Sequence, residues 1–485
     1  MTIDEAFSMA VKFVQSGRLN EAEQIYRRII ELQPNSTTAL NNLGSVLLRR
    51  HEFEEAIAAC QEALKIQPEF PEAHINLSQA YLATGRVEEA IDALRRTLAI
   101  RPDLTEGWNN LGNAYLVTDQ LDKALEAFHR ALALQPGWPH VHSNLGKARQ
   151  TANDLDGAIA SFRAALALQP DLPITHLNLG IALLLRGEYL EGWREYEWRW
   201  RTREFDVQKR NFAKPHWDGS ELNGRRILLF AEQGFGDTIQ FVRYAKLVAD
   251  RGGEVVLECQ PQLCRLLRGA RGVTEVARPG LELPAFDTHC PLLSLARIFG
   301  TELTTIPAAV PYNSVDKEMV GKWKARLAPD QSKLKVGLAW AGGTSDRNRS
   351  LPLKLLLPLA QIPGVSLYSL QYGAEARQIE DSGMPIQNGK MSANFEDFAD
   401  TAGLISQLDL VVTIDTAVAH LAGSMGKPVW VLLKFAPDWR WLLDRADSPW
   451  YPTMRLFRQK RFSEWESPIR QAVEALSVFK NAPVK

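Results

Sequence analysis

The chain is 485 residues long and carries 56 lysines and arginines against 57 aspartates and glutamates, with no long run of either sign. That balance gives no electrostatic basis for capturing nucleic acid or an anionic membrane, and the length suits about three domains of roughly 150 residues each. The opening stretch MTIDEAFSMAVKFVQSGRLNEAEQ lacks the basic and apolar regions of a secretory leader, and no apolar run reaches the ~20 residues of a membrane helix, so a cytoplasmic location is expected. Cys60, Cys259, Cys264 and Cys290 are too few and too irregularly spaced for a disulfide framework and form no CxxC pair; they read as reduced core residues.

The first third of the chain is repetitive. Gln33-Pro34, Gln67-Pro68, Arg101-Pro102, Gln135-Pro136 and Gln169-Pro170 recur every 34 residues, in phase with Leu43-Gly44, Leu77-Ser78, Leu111-Gly112, Leu145-Gly146 and Leu179-Gly180. This resembles a tetratricopeptide (TPR) array, an α-helical superhelix of stacked helix pairs. Ala22, Ala56, Ala90, Ala124 and Ala158 let paired helices approach, Tyr26, Phe128 and Phe162 fill between them, and each proline ends a second helix. Five repeats cover about residues 3–172. A degenerate sixth unit runs from Pro173 to about Arg201 and ends in EGWREYEWRW, where Trp193, Trp198 and Trp200 replace a polar outer face and are expected to dock onto a neighbouring domain.

His74, His142 and His176 share the repeat position of Leu40 and Trp108, so they read as packing residues rather than metal ligands. Asn42, Asn76, Asn110, Asn144 and Asn178 form a ladder, one per repeat at the same place on the first helix. An amide offers both a donor and an acceptor, so such a ladder can clamp the backbone of an extended protein acceptor; the alternative is hydrogen bonding between repeats. A similar ladder is a feature of the TPR region of O-GlcNAc transferases.

Over residues 202–224 the periodicity disappears, and Pro215, Trp217, Gly219 and Gly224 read as a linker strapped to a surface. Beyond it, strand-like segments alternate with helical ones: RILLFA (226–231), GEVVLEC (253–259) and FDTHC (286–290), then KVGLAWA (335–341), VSLYSLQ (365–371), LDLVVTID (408–415), PVWVLL (428–433) and MRLFRQ (454–459). Two doubly wound parallel sheets are expected, in domains of residues 225–312 and 333–485 joined by a connection over 313–332. The cleft beyond the carboxyl ends of the strands is then the expected binding site.

At the end of LDLVVTID, Asp415 and Thr416 precede a helix with His420 in its second turn, and the loop Trp340-Ala341-Gly342-Gly343-Thr344 follows another strand end. Helix N-termini and small-residue loops suit phosphate, and two of them in one domain favour a nucleotide diphosphate. Asp415 or Thr416 as a helix cap and His420 as a core residue are the alternative. DTAVAHLAGSMGKPVWVLL resembles the donor motif of the heptosyltransferase-type (glycosyltransferase family 9-like) GT-B enzymes, and FAEQGFGDTIQFVRY resembles their first strand and loop. TPR arrays fused to such domains are similar to bacterial protein glycosyltransferases, including those that modify flagellin. The sequence departs from the family at Ala417, where glycine is usual, and in the short segment 225–312, which points to the TPR groove for acceptor recruitment.

The resemblance implies a GT-B fold of two Rossmann-like domains and an inverting, metal-independent transfer of sugar from a nucleotide sugar to a protein Ser/Thr hydroxyl, without a cofactor. It implies Asp237 as the base, with pure helix capping as the alternative and Glu232 as the reserve carboxylate. Donor contacts are expected from Gly342, Gly343, Arg349 (or Arg347), Asp400, Thr401, Asp415, Thr416, Ala417, Val418 and His420. The tryptophans of WRW (439–441) are expected at the cleft mouth or in interdomain packing. Transfer to a lipid-linked or surface glycan, and a non-catalytic TPR scaffold, are the alternative functions.

Overall fold

A computed structural model of the protein describes residues 2–206, 209–327, 334–343, 347–387 and 395–480. The chain forms two compact units, Met1–Thr175 and His176–Lys485.

The first unit consists of helix pairs Ile3–Gln15 with Leu19–Leu32, Thr37–Arg49 with Phe53–Ile66, Pro71–Ala83 with Val87–Ile100, Thr105–Val117 with Leu121–Leu134, and Pro139–Thr151 with Leu155–Leu168. The repeat alanines Ala22, Ala56, Ala90, Ala124 and Ala158 are all 0% exposed. The Leu-Gly glycines serve the same close approach: a Cβ on Gly112 would lie 2.6 Å from the Phe128 ring, and one on Gly146 equally close to Phe162. The turn inside each repeat needs one left-handed residue, supplied by Gly17, Gly85, Asp119, Asn153 and even His51. His74 and His142 do more than pack: each ring donates from Nε2 to the carbonyl of the proline six residues earlier (2.9 and 2.8 Å), as the Trp108 indole does to Pro102 (2.9 Å).

The second unit holds two parallel sheets. β1 (Arg226–Phe230), β2 (Glu254–Glu258), β3 (Val273–Ala277) and β4 (Thr288–Pro291) form a sheet of order β3-β2-β1-β4. β5 (Leu334–Ala339), β6 (Val365–Ser369), β7 (Leu410–Ile414), β8 (Val429–Leu433) and β9 (Met454–Arg458) form one of order β6-β5-β7-β8-β9. β3, VTEVA, was not expected from the sequence. It is an edge strand with Thr274 and Glu275 exposed, so it carries little apolar signal. The buried faces of β5, β7 and β8 pack with Ile469, Ala472 and Leu476 of the C-terminal helix Glu466–Phe479.

The expected boundary at residue 201 shifts. The sixth helix pair, Pro173–Arg186 with Tyr189–Tyr196, belongs from His176 onward to the unit of the sheets. Of its expected docking tryptophans, Trp193 is the anchor: it is 1% exposed, donates to the carbonyl of Thr301 (3.0 Å) and meets Phe241 and Trp439 edge-on. Trp198 instead stacks on His176 at 3.8 Å, and Trp200 packs on Phe205, so neither is the docking residue expected. His176 also binds Glu195 through Nδ1 (2.5 Å). In the linker, Trp217 is buried and its backbone N–H donates to the carbonyl of His289 in β4 (2.8 Å). The 313–332 connection contains a helix, Lys317–Arg326, whose Trp323 packs on Phe395 and against Gly403.

Candidate functional site

A cavity of about 1140 Å³ opens where loops from both sheets meet. Its wall takes Glu232 to Asp237 after β1, Gln260 after β2, Ala341 to Gly343 after β5, Gln371 and Tyr372 after β6, Asp415 to Val418 after β7, and Asp438 to Arg440 after β8. All these loops follow the carboxyl ends of parallel strands, where crossover connections leave the backbone open to a ligand. Ile181, Tyr196, Glu204 and Phe205, from the sixth helix pair and the segment after it, close another side.

The two motif helices, Phe235–Phe241 and Ala417–Ser424, meet beside this cavity. Their approach depends on Gly236, where a Cβ would lie 2.8 Å from Cδ2 of His420 and 3.6 Å from Cα of Ala417. The second helix opens without a side-chain cap, which removes the capping alternative for Asp415 and Thr416. Thr416 Oγ1 instead shares a hydrogen bond with Thr413 Oγ1 (3.1 Å). Burial, with the nearby Asp438, pushes the Asp415 carboxyl up to about 6 against the pull of Arg440 and Arg349.

Two expected donor contacts are corrected. His420 is 4% exposed and lies behind the wall: Nδ1 is 2.9 Å from Tyr451 Oη, Nε2 is 4.0 Å from Asp415 Oδ1, and the ring stacks on Trp441. Burial, together with Arg440, Arg243 and Arg349, holds it well below the usual histidine range, so it is neutral. Asp400 is 1% exposed and also off the wall, because its carboxylate binds Arg265 (2.9 Å) and Lys322 (3.1 Å). Its neighbour Thr401 does line the cavity.

Arg349 reaches the wall from a short 3-10 turn and packs on Gly342, where a Cβ would sit 2.5 Å from its Nε. That Nε is buried without a hydrogen-bond partner, and the guanidinium acts on the Asp415 carboxyl only electrostatically among the described residues. Gly342 N–H donates to Ser350 Oγ (3.1 Å), and Gln371 Oε1 holds the preceding turn by accepting from Trp340 and Ala341 N–H (3.0 and 2.9 Å). Thr344 and the side chain of Arg347 lie outside the described residues.

Asp237 accepts from Gly234 N–H through Oδ2 (2.9 Å) and from Arg440 Nη2 through Oδ1. Burial raises its pKa and Arg440 opposes the rise. Glu232 accepts from Arg199 Nη2 through Oε1 (3.0 Å), while Oε2 is buried without a partner. Burial pushes the Glu232 carboxyl up to about 7 against the pull of Arg199. Arg440 and Arg199 were not singled out in the sequence; their signal is only their place in the WRW and EWRWR clusters. Trp439 and Trp441 of WRW are both buried, and Trp439 lines the cavity.

The asparagine ladder is partly committed within the array. Asn76 and Asn144 each donate to the residue 35 positions earlier, Asn41 Oδ1 and Asn109 Oδ1 (2.8 Å each). Those asparagines in turn approach Asn42 and Asn110 (3.4 Å each). Asn42, Asn76, Asn110 and Asn144 are all half-buried, and Asn178 lies in the second unit.

Family models described as Tetratricopeptide repeat match residues 7–71, 47–109 and 105–137, and one described as TPR repeat matches residues 151–187. TPR repeats, modules associated with protein interaction, are therefore present. Protein FlbA of Caulobacter vibrioides is 27% identical over 322 residues, 61% of this chain and 54% of FlbA, so the chain spans about half the length of this curated relative. A TPR protein of Thermus thermophilus is 23% identical over 38% of this chain and 100% of its own, with a TM-score of 0.34. The pilF protein of Pseudomonas aeruginosa is 20% identical over 43% of this chain and 97% of its own, with a TM-score of 0.37. Among the described residues no helix is long and apolar enough to cross a membrane, and no cluster of histidine, cysteine or acidic residues suits a metal.

Proposed function

We propose that the second unit is an inverting glycosyltransferase of the two-domain GT-B type that takes a nucleotide sugar and modifies a protein serine or threonine hydroxyl. The observation that carries this reading is the meeting of both motif loops, 232–237 after β1 and 415–418 after β7, at one cavity with Arg349, whose Nε is buried without a hydrogen-bond partner. Sugar transfer needs a stabiliser for the departing phosphate and an acceptor for the proton of the attacking hydroxyl. Arg349, the Gly342-Gly343 loop and the open first turn at Ala417 and Val418 form a cationic, donor-rich wall for the first task. Carboxylates after β1 serve the second. The TPR array recruits the acceptor protein, for which flagellin or another surface protein is the candidate.

The test is incubation of the full chain with a panel of nucleotide sugars, reading thermal stabilisation, donor hydrolysis and transfer to protein. Stabilisation by one donor with slow hydrolysis supports the reading. Absence of both across the panel removes it. A nucleotide-sugar-sensing scaffold is favoured by one observation, the engagement of both Asp237 oxygens; it binds the donor and never hydrolyses it.

A further inference from the structure

The last turn of the sixth helix pair reaches the floor of the cavity. The 3-10 segment Glu197–Arg201 follows the helix anchored by Trp193 and places Arg199, 0% exposed, beside Glu232. One guanidinium there serves two carboxylates: Nη1 binds Glu197 Oε1 (2.6 Å), and Nη2 binds Glu232 Oε1 (3.0 Å) and Ser294 Oγ (2.9 Å). Ser294 Oγ also donates to Glu197 (2.9 Å), and Arg297 stands 3.7 Å from it. Glu197 is thus held by several donors, whereas Glu232 has one and keeps Oε2 free of any.

We infer that Glu232, and not Asp237, takes the proton of the acceptor hydroxyl, and that Arg199 is the residue that positions it. This deepens the transferase reading and rests on it. Each oxygen of Asp237 already accepts a hydrogen bond, one from a helix N-terminus and one from a guanidinium, so a proton arriving there competes with an existing partner. Glu232 Oε2 has no partner to displace. Both carboxylates share the one buried guanidinium, with Arg297 half-exposed beside Glu197 only, so a single proton relieves the excess negative charge in the buried part of the cluster. It goes to Glu232: although burial raises the affinity of Glu197 for a proton, Arg199, Ser294 and Arg297 more than offset it and leave its pKa below the usual range.

The step balances. As the acceptor oxygen forms its bond to the anomeric carbon, its proton passes to Glu232 Oε2. The bond from that carbon to the phosphate oxygen breaks, and its electron pair leaves with the nucleoside diphosphate. Arg199 holds Oε1 and leaves Oε2, buried on a residue that lines the cavity, without a partner.

The experiment compares full-length Glu232→Gln, Asp237→Asn, Arg199→Lys and Ser294→Ala in transfer assays across pH. Alongside it, the Glu232 carboxyl is titrated by NMR in chain labelled with carbon-13 glutamate. Glu232→Gln is expected to lose at least ~100-fold in turnover, with donor affinity unchanged and the acidic limb of the pH profile abolished. Asp237→Asn is expected to keep that limb. Arg199→Lys and Ser294→Ala are expected to shift the limb and the Glu232 carboxyl titration together; Ser294→Ala does so with the buried charge intact. Near-normal transfer by Glu232→Gln overturns the proton assignment, and an unmoved Glu232 titration in both Arg199→Lys and Ser294→Ala overturns the positioning role. A wild-type chain that neither binds nor hydrolyses any nucleotide sugar removes the transferase reading and with it the proton assignment, while the titration still decides whether Arg199 sets Glu232.

Discussion

Arg440, from the turn after β8, donates through Nη2 to Oδ1 of Asp237, at the start of the helix after β1. A single ion pair therefore ties a loop of one sheet to a motif helix of the other. Arg440 also binds Asp438 (2.8 Å) and Gln240 (2.5 Å). Replacing it by glutamine leaves Asp237 and Asp438 facing each other and Asp415 without their cation. Breaking a buried pair costs ~3–5 kcal/mol, and the loss here belongs at the lower end, about 3 kcal/mol, because the Asp237 side chain is 20% exposed and that of Asp438 35%. Urea denaturation of Arg440→Gln measures it; a midpoint equal to that of the unmodified chain contradicts the bridging role.

Arg349 is expected to matter for ligand and little for folding. Among the described residues no carboxylate hydrogen-bonds it, so Arg349→Ala should melt near the parent temperature. Hydrogen bonds to a charged group contribute ~1.5–3 kcal/mol, so nucleoside diphosphate affinity should fall about 10- to 100-fold. Calorimetric titration reads this directly, and unchanged affinity takes Arg349 out of the phosphate site.

The buried carboxyls give stability a signed pH dependence. Glu232, raised to about 7, keeps a proton in the folded chain that an unfolded glutamate releases near ~4.3. Its contribution is fully present below the unfolded value and is lost as pH rises through 7. Asp415, raised to about 6, acts in the same direction over a lower window. Glu232→Gln removes the first effect, so from pH 5 to pH 8 the parent chain should lose stability relative to this variant. Denaturation midpoints that move in parallel at both pH values would show that Glu232 does not titrate in this range.

Gly180 should tolerate no side chain. A Cβ there would lie 2.7 Å from the backbone nitrogen of Tyr196 and 3.0 Å from the carbonyl oxygen of Gly192, neither of which can rotate aside. Gly180→Ala must push away the helix that carries Trp193 and Tyr196, at a cost of ~1–3 kcal/mol. Thermal denaturation tests this, with Gly364→Ser avoided as a control because its φ of 81° would add backbone strain.

The ladder separates two roles in one experiment. Asn76→Ala and Asn144→Ala each remove a 2.8 Å bond within the array, worth ~1 kcal/mol of stability. If the ladder also clamps an acceptor backbone, the combined Asn76, Asn110 and Asn144 alanine variant should bind acceptor protein at least about tenfold more weakly while donor hydrolysis survives. Equal acceptor binding in the folded variant would leave these amides with the stitching role alone.

The helical repeat and most of the strands were legible because both are local. The 34-residue register puts the same small residue at every helix contact, and fully buried strands such as β7 and β8 appear as largely apolar runs. β3 escaped because an edge strand shows a half-polar face. The motif loops were legible too, since a strand end followed by a helix start places residues such as Asp415 and Asp237 at the carboxyl edge of a sheet whatever the rest of the chain does. What each side chain touches there was not. His420 sits in the same motif as Asp415, yet the packing of Gly236 and Tyr451 turns it behind the wall; Asp400 is drawn off the cavity by Arg265, 135 residues away. Arg440 closes on Asp237 across 203 residues, and Arg199 reaches Glu232 across 33. The repeat, the alternation of strands and helices and the loops that bear the chemistry can be read along the chain, because these depend on neighbouring residues. Which carboxylate an arginine holds, and which oxygen stays without a partner, emerges with the folded packing, because burial and charge act between residues that share no local pattern.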